Sequence, residues 1–458
     1  MIVPTQSYRQ IIQIELNEIS EPVFTDLMAR GKMPNLAKIH SEWAYLHTTS
    51  ETVYEHIEPW IQWVTAHTGK GFDEHGIFRL SDADMLTHMQ IWEALSTHGI
   101  ESAIVGSMNT VRRNTEGGLF FPDPWAKRNE AYPDALKPLW ALISSRVQSH
   151  ATSKLSASDA WAGLQAMLKY KVSPELYLKL TKQLVGQKLN PKVKWKLAAY
   201  FDQMLAEIFR TIYRSTDYGY YTLFLNAVAH YQHHYWRNFD RTGFDPTINY
   251  NDIEATHDPV TFGYEMYDRI LGDIMSMAKP DTLIVIASGL SQVPYVDKEA
   301  QGGMNYYRLN NHEAFAREIG LTEAAYRIYP LMSRDWQVAY SDQKSRRVAL
   351  DLLGGLQVDD MPLFTIKENT EGYIFVETNY SRGTYPDLQI TGPQLSSPIP
   401  FESVFTNIAV KSGHHSGIGS LWLSDRALRS SLIGQRVPLG ELYYLTLRTL
   451  TADSAVPS

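Results

Sequence analysis

The chain has 458 residues, of which 44% are hydrophobic and 20% are charged, and its formal net charge is −8. This composition excludes a disordered chain, and the acidic balance argues against a nucleic-acid binder. Because there is no cysteine, disulfides and thiolate metal sites are excluded, and any metal must have nitrogen and oxygen ligands. With no signal-like N-terminus and no run near the ~18 apolar residues of a membrane span, we expect a cytoplasmic protein without such a span.

Short apolar runs alternate with segments of helical spacing. In chain order, the patterns predict a strand at 11–16, a helix at 20–31, a strand at 44–50, helices at 58–69 and 91–99, strands at 100–108 and 220–229, a helix at 260–278 and a strand at 281–289. Alternation of this kind predicts an α/β fold with a mostly parallel central sheet and helices on both faces. Ligands then bind beyond the carboxyl ends of the strands.

Two segments interrupt the alternation. Residues 130–216 carry only helical patterns and predict a helical cap insertion. Residues 291–399 carry weak, mixed signals and predict a smaller α+β insertion. The predicted core is then made of residues 1–129, 217–290 and 400–458.

A lysine-rich stretch lies within the predicted helical insertion. Residues 169–196 contain eight lysines and a single acid, Glu175. Such a stretch is either a solvated helical face or a basic rim that attracts an anionic substrate.

Polar residues follow the first strand, at Glu15, Asn17 and Glu18. The two-residue period of a strand puts Glu15 and Asn17 on the same side. A buried acid at a strand end is costly unless it is paired or bound. We therefore consider Glu15 and Asn17 candidate catalytic residues, with an ordinary turn as the alternative.

A second acidic cluster has Glu51, Glu55 and Glu58 at spacings of four and three. If residues 51–58 are helical, the three carboxylates share one face. Their repulsion would raise at least one pKa unless a cation lies among them, which makes them candidate catalytic acids or bases. The alternative is an acidic first turn that the helix dipole favours.

Histidines are concentrated after the strand at 220–229. His230 can converge with Asn226 on either a strand or a helical turn, whereas His233 and His234 point differently and are expected to line a substrate pocket.

A second histidine pair, His414 and His415, lies in a Gly/Ser-rich segment that is read as a loop. With Asn226 and His230, one of these two histidines would complete a nitrogen and oxygen ligand set for Zn or Mn. His414 is also expected to bind substrate, and the alternative for the segment is a flexible turn.

The order of these motifs resembles the alkaline phosphatase superfamily, in particular its type I phosphodiesterase/nucleotide pyrophosphatase branch. The resemblance covers about residues 10–110, 219–292 and 405–425, through IIQIELNEI…GKMPNLAKI, WIQWVTAHTGKGFDEHGIF, IWEALSTHGIESAIVGSMN, NAVAHYQHHYW, DTLIVIASGLSQ and GHHSGIGSLWL. It implies an alkaline phosphatase-like fold, a hydrolase or transferase activity, and a metal centre in which His415 is the best match to the final metal histidine.

The chain departs from the family pattern at several positions that carry the chemistry. Asn17 and Asn226 stand where the family has metal-binding aspartates, and Gly289-Leu290 stands where it has an Asp-His pair. The hydroxyl nucleophile falls near Glu58-Pro59, where there is no Ser or Thr. A two-metal mechanism needs anionic ligands for both ions, so the second site is expected to be lost and Asn226, His230 and His415 to remain.

Three hypotheses follow. The first is an enzyme that acts on a phosphate, sulfate or related anionic group of a small-molecule or glycan-linked substrate, in biosynthesis of a surface polysaccharide or a small molecule. Its centre would hold one divalent Zn or Mn, or no metal, and would use carboxylates as general bases. The second is a pseudoenzyme that serves as a binding or assembly module. The third is a two-metal phosphodiesterase with displaced ligands.

Overall fold

The computed structural model describes the chain with several gaps. The described residues are 1–80, 82–113, 117–126, 128, 130–147, 157–248, 257–321, 325–330, 334–368 and 372–452.

Strands occur along most of the chain. They are β1 (Gln10–Leu16), β2 (Ala44–Thr49), β3 (Ser102–Val105), β4 (Leu119–Phe121), β5 (Tyr220–Leu225), β6 (Thr282–Ala287), β7 (Ser291–Pro294), β8 (Met304–Leu309), β9 (Tyr326–Pro330), β10 (Trp336–Tyr340), β11 (Gln357–Val358), β12 (Met361–Pro362), β13 (Phe364–Glu368), β14 (Tyr373–Thr378), β15 (Gln389–Thr391), β16 (Ile399–Pro400), β17 (Phe405–Lys411), β18 (Gly413–Ser416), β19 (Ile418–Leu423) and β20 (Arg436–Pro438).

The α-helices lie between these strands. They are α1 (Glu21–Ala29), α2 (Pro34–Glu42), α3 (Pro59–Thr68), α4 (Phe72–His75), α5 (Ile91–Ser96), α6 (Lys137–Val147), α7 (Ala157–Lys169), α8 (Pro174–Leu189), α9 (Lys196–Ser215), α10 (Ala227–Phe239), α11 (Pro259–Met277), α12 (His312–Glu318), α13 (Gln343–Gly354), α14 (Phe401–Val404), α15 (Arg429–Leu432) and α16 (Glu441–Thr451).

The central sheet has eight strands in the order β20-β2-β19-β6-β1-β5-β3-β4. All neighbouring strands in it are parallel except β19, which runs antiparallel to β2 and β6. The mostly parallel sheet with helices on both faces confirms the predicted fold class. Every residue of β1 is buried, because β1 lies between β5 and β6 and both of its faces are covered.

Each face of the sheet has its own hydrophobic cluster. Ile12, Ile14 and Leu16 of β1 pack with α1, α2, α9, α10 and α11 on one face. Ile11 packs with α3, α5 and α16 on the other face. The carboxyl end of β1 therefore opens at the centre of the sheet, between two helical layers.

The two predicted insertions contain the expected kinds of element. Helices α6 to α9 lie in the first, and α9 packs against β5 and β3. The second contains two four-stranded sheets, β13-β14-β10-β9 and β12-β11-β15-β16, around a cluster of their own. The division of the chain into domains stays a prediction.

Three local predictions were wrong. The strand predicted at 220–229 ends at Leu225, and a helix begins at Ala227 with Asn226 as its N-cap. Residues 51–58 are not a helix, because only residues 54–56 form a single 3₁₀ turn and Glu58 is extended. His414 and His415 lie in a short strand rather than in a loop, since β18 pairs with β7.

Within the described part of the chain, none of the helices combines the length and the apolar character that crossing a bilayer requires.

Candidate metal centre

Glu18 lies just beyond the carboxyl end of β1 in a strained backbone conformation. Its φ of 58° is in the left-handed region, which costs a non-glycine residue on the order of 1–3 kcal/mol. The Gln232 side chain donates to the Glu18 carbonyl oxygen at 2.6 Å, and the preceding residue, Asn17, still donates its backbone N–H to Leu225 at 3.0 Å. These contacts hold Glu18 where the sheet opens, and its side chain is almost fully buried.

Two histidines reach Glu18 from different elements. His233 lies on α10 and His415 on β18, and the two elements are joined where Ser412 donates its N–H to the His233 carbonyl oxygen at 2.7 Å. Gly413 permits this contact, because a Cβ at that position would be 2.4 Å from the Gln232 carbonyl oxygen.

The ligand atoms of Glu18, His233 and His415 form a compact triangle. Glu18 Oε2 is 3.0 Å from His233 Nε2 and 3.3 Å from His415 Nε2, and the two Nε2 atoms are 3.2 Å apart. Ligands about 2.0–2.1 Å from a tetrahedral Zn²⁺ lie about 3.3 Å from one another. The three atoms therefore fit three vertices of such a coordination sphere and leave the fourth vertex for another group.

Each of the three candidate ligands contacts a further polar group that orients it, as in many metal sites. The Gly413 carbonyl oxygen is 3.0 Å from His233 Nδ1, which assigns the proton to Nδ1 and leaves Nε2 as a lone-pair donor. The Glu58 carboxylate lies 3.5 Å from His415 Nδ1. Gln292 donates to Glu18 Oε2 at 2.5 Å, so both histidines and the carboxylate have a second partner.

Burial and the neighbouring charges act in opposite directions on the pKa values of Glu18 and His415. Burial favours neutral Glu18, but His415 and His233 outweigh it and hold the pKa of Glu18 well below its usual range. Burial also opposes a charge on His415, whereas Glu18 and Glu58 raise the pKa of that imidazole. Burial lowers the pKa of His233 to about 4. Because a metal binds the deprotonated forms of these groups, metal binding at this site would depend on pH.

Lys411 provides a positive charge beside the triangle. It ends β17, and its Nζ lies 4.8 Å from the centroid of the Tyr306 ring. Burial disfavours the ammonium, but Tyr306, Glu58 and Glu18 raise its pKa. Lys411 is therefore a positive charge next to the carboxylates of the centre.

Two charged residues of the second insertion, Arg334 and Asp335, lie near Lys411. The Arg334 guanidinium lies 4.7 Å from the centroid of the Tyr306 ring, which Lys411 also contacts. Its Nη1 is buried without a hydrogen-bond partner, as is Oδ1 of Asp335. Burial, together with the nearby Glu377, raises the pKa of Asp335 to about 7, although Arg334 opposes this. These unsatisfied polar atoms are available to a ligand.

The two predicted asparagines bind each other. Asn17 donates to the Asn226 side-chain oxygen at 2.8 Å and to Glu18 at 3.0 Å, while its own oxygen accepts from the Trp63 indole at 2.9 Å. The amide oxygen of Asn17 is therefore already bound. Of the predicted metal set Asn226, His230 and His415, His415 lies in the cluster with Glu18 and His233. The predicted set itself stays a prediction.

The other predicted histidines lie around the triangle. His230 is exposed on α10, with its ring 4.8 Å from that of His234. His234 has a buried Nδ1 without a hydrogen-bond partner. His414 stacks on Tyr295 at a centroid distance of 4.6 Å. A substrate-binding role for His234 and His414 stays a prediction.

The predicted catalytic acids do not come together. Glu15 accepts from His67 at 2.8 Å, among the buried residues between β1 and α3. Glu51 accepts the N–H of Phe72 at 2.8 Å, and Glu55 is exposed. Of the acidic cluster 51–58, only Glu58 contacts the triangle.

The end of β6 provides no ligand for a second metal. Gly289 packs so closely that a Cβ would be 2.9 Å from Leu439, and Leu290 is fully buried. These two positions therefore have apolar packing instead of side-chain ligands.

Sequence reasoning missed three residues of the centre: Glu18 as a ligand, Gln292 as its donor and Lys411 as the adjacent cation. For Glu18 the signal was present, because it is the nearest acid to Asn17. For Lys411 there was none, since its position depends on the pairing of β17 with β8, whose residues are about a hundred positions apart.

Comparisons with known proteins give no family assignment. No family model matches the chain, and no curated protein matches it. Among solved structures, it is similar to phosphonoacetate hydrolase from Sinorhizobium meliloti 1021 in complex with phosphonoformate, with 14% identity, coverage of 97% of this chain and 96% of that chain, and a TM-score of 0.40. It is also similar to murine ectonucleotide pyrophosphatase/phosphodiesterase 5, with 11% identity, coverage of 96% and 95%, and a TM-score of 0.41. Similarity at this level does not establish what this chain binds or catalyses.

Proposed function

We propose that this chain is an alkaline phosphatase-like enzyme with a single divalent metal, Zn or Mn, that hydrolyses or transfers a phosphate, sulfate or related anionic group. The observation that carries the proposal is the triangle of Glu18, His233 and His415. Its atoms have the separations of ligands around one ion, and each has a second partner that fixes its orientation. The apolar packing at Gly289 and Leu290 supports a centre with one ion, because neither position offers a side-chain ligand for a second.

Glu18, His233 and His415 would hold the ion. When bound, it would supply Lewis acidity to an oxygen of the reacting group. Lys411 would bind a further oxygen of that group, because it is a cation next to the triangle and the bound ion would offset the charge of Glu18.

Glu58 is suited to move a proton. It is the N-cap residue of α3, and burial raises the pKa of its carboxyl, although His415 and Lys411 oppose this shift. A carboxylate with a raised pKa accepts a proton from water or a substrate hydroxyl more readily than an ordinary one. We assign to Glu58 the role of general base, with Oε1, the oxygen other than the one that faces His415 Nδ1, as the accepting atom.

Metal analysis tests the centre directly. The purified protein, incubated with Zn²⁺ or Mn²⁺ and then desalted, should retain one equivalent of metal. The double variant Glu18→Gln/His233→Ala should retain none, whereas His230→Ala, on the same helix but outside the triangle, should bind like the original chain. One equivalent retained by the double variant would contradict the site.

Turnover then separates the enzyme from its alternatives. The proposal expects hydrolysis of at least one member of a panel of phosphate, phosphonate and sulfate esters, lost with chelator and restored by one equivalent of metal. Metal binding without turnover would favour a pseudoenzyme, which the absence of a hydroxyl at Glu58-Pro59 also favours. A requirement for two equivalents would favour a conventional two-metal phosphodiesterase.

A further inference from the structure

Helix α8 exposes an apolar stripe on the outside of the protein. Leu178, Val185 and Leu189 have exposed fractions of 54%, 57% and 84%. Their spacings of seven and four put them on one face of the helix. Three large aliphatic side chains on one exposed helical stripe are the kind of apolar patch that marks an interaction surface.

The opposite face of α8 holds the helix to the protein. Leu176 and Gln183 are buried, and Gln183 donates to the Val193 carbonyl oxygen at 2.7 Å. Leu180, on the same side, packs against the main core. The apolar stripe therefore lies on the outer face of a helix that already packs against the protein through its opposite face.

Lysines surround the stripe. Residues 169–196 contain eight lysines and one acid, Glu175, which is paired with Lys179 at 2.7 Å. Lys182 lies next to the stripe by helical spacing, since it is four residues after Leu178. The whole chain has a net charge of −8, so this segment is a local positive region on an acidic protein.

We propose that α8 is a membrane-docking surface that binds peripherally to bilayers rich in anionic lipid. Leu178, Val185 and Leu189 would enter the headgroup region, and the surrounding lysines would contact lipid phosphates. Trp161, 61% exposed on the preceding helix α7, is of the residue type enriched at bilayer interfaces. This inference is independent of the proposed activity.

Charge and chemistry favour a bilayer over other occupants. A nucleic acid would use the lysines but has no apolar surface for three aliphatic side chains. A second copy in a two-fold dimer would bring the two lysine-rich segments together, and like charges oppose this. An anionic bilayer is complementary to both parts of the surface.

Vesicle cosedimentation tests the proposal with the full-length chain. The protein should bind vesicles of phosphatidylcholine with roughly one third phosphatidylglycerol at least about tenfold more tightly than pure phosphatidylcholine vesicles, and added salt should weaken the binding. Equal affinity for the two vesicles, or no binding to either, would overturn it.

Variants assign the binding to α8. Both the triple variant Leu178→Ser/Val185→Ser/Leu189→Ser and the charge reversal Lys182→Glu/Lys188→Glu should weaken binding at least about tenfold. Controls at exposed positions elsewhere on the protein are Val348→Ser/Ile433→Ser and Lys344→Glu/Arg347→Glu, which should bind as the original chain. Circular dichroism and thermal unfolding verify that each variant is folded.

Two further outcomes would overturn the proposal. One is binding to single-stranded DNA or heparin that survives the serine triple variant while vesicle binding is absent. The other is a concentration-dependent dimer that the triple variant abolishes, because the stripe would then bind a second copy.

Discussion

Glu18 Oε2 lies 3.0 Å from Nε2 of His233. The order of the sequence motifs had indicated two other residues, Asn17 and His230. The carboxylate belongs to the residue after Asn17, and the histidine lies three positions after His230. Three candidate metal ligands, Glu18, His233 and His415, therefore come together even though amides occupy the expected aspartate positions. The negative charge of the centre comes from Glu18.

Metal-induced stabilisation should depend on Glu18. Zn²⁺ at about one hundred times its Kd stabilises the folded state by about 2.7 kcal/mol, because it binds folded but not unfolded protein. Glu18→Gln keeps the shape of the side chain and removes its charge, so we expect most of this gain to disappear. Thermal unfolding with and without Zn²⁺ measures it, and His230→Gln is the control. An unchanged shift in Glu18→Gln would exclude Glu18 as a ligand.

Glu58 should tune the metal affinity through His415. Its carboxylate lies 3.5 Å from His415 Nδ1, and loss of such an outer partner weakens metal binding by about 10–100-fold. We expect Glu58→Gln to show this loss in a competition titration against a chromogenic chelator. Glu55→Gln, an exposed acid three residues earlier, should have no effect. An equal loss of metal affinity in Glu58→Gln and Glu55→Gln would mean that the loss comes from the change in overall charge and not from the contact with His415.

The fold was accessible from the sequence, whereas the centre was accessible only in part. The buried strands β1, β5 and β6 are recognisable in the sequence as apolar runs, and their parallel pairing follows from the helices that connect them. His233, in contrast, reaches the centre because Gly413 lets β18 pack against α10. Nothing in the local pattern around His230, His233 and His234 encodes which ring meets that distant strand.

The mixed insertion illustrates the same limit. Its strands were weakly predicted, but Arg334 and Lys411 meet at Tyr306 only through the tertiary packing of β8, β10 and β17. Sequence periodicity reports which face of an element is buried, and it carries no information about which elements become neighbours.

The Glu15–His67 pair should contribute to stability and not to metal binding. Both side chains are fully buried, and Glu15 Oε1 is 2.8 Å from His67 Nε2. Removing one partner leaves the other buried without its hydrogen bond, which costs about 1–3 kcal/mol and more for a charged group, whereas replacing both with apolar residues can be nearly neutral. We expect Glu15→Leu alone to destabilise strongly and Glu15→Leu/His67→Phe to recover most of the loss. Urea unfolding of the double-mutant cycle measures this, and an activity loss without a stability loss would assign Glu15 to catalysis.

Two glycine substitutions should change the free energy of unfolding in opposite directions. Gly413→Ala would put a Cβ 2.4 Å from the Gln232 carbonyl oxygen and force α10 and β18 apart, at a cost of about 1–3 kcal/mol. Gly186→Ala, inside α8 with no atom within 4 Å of the new Cβ, should stabilise by about 0.5–1 kcal/mol. The unfolding free energies test both. If the metal affinity falls in Gly413→Ala and not in Gly186→Ala, the altered packing at Gly413 has displaced His415 and His233.

Lys411 should govern the affinity for anions without affecting the metal. Its ammonium lies beside Glu18 and Glu58 and over the Tyr306 ring, where a bound anion would find a buried positive charge. Lys411→Met keeps the apolar stem of the side chain and removes its charge. The metal-loaded variant should bind inorganic phosphate about tenfold or more weakly, because it lacks one charge-assisted hydrogen bond to the anion. Isothermal titration measures the phosphate affinity, and metal analysis should still find one equivalent. Lys344→Met, on the exposed surface of α13, is the control. If phosphate affinity is unchanged in Lys411→Met while one equivalent of metal remains, the anion must contact a different cation of the cleft, and Arg334 with its unpartnered Nη1 is the next to test.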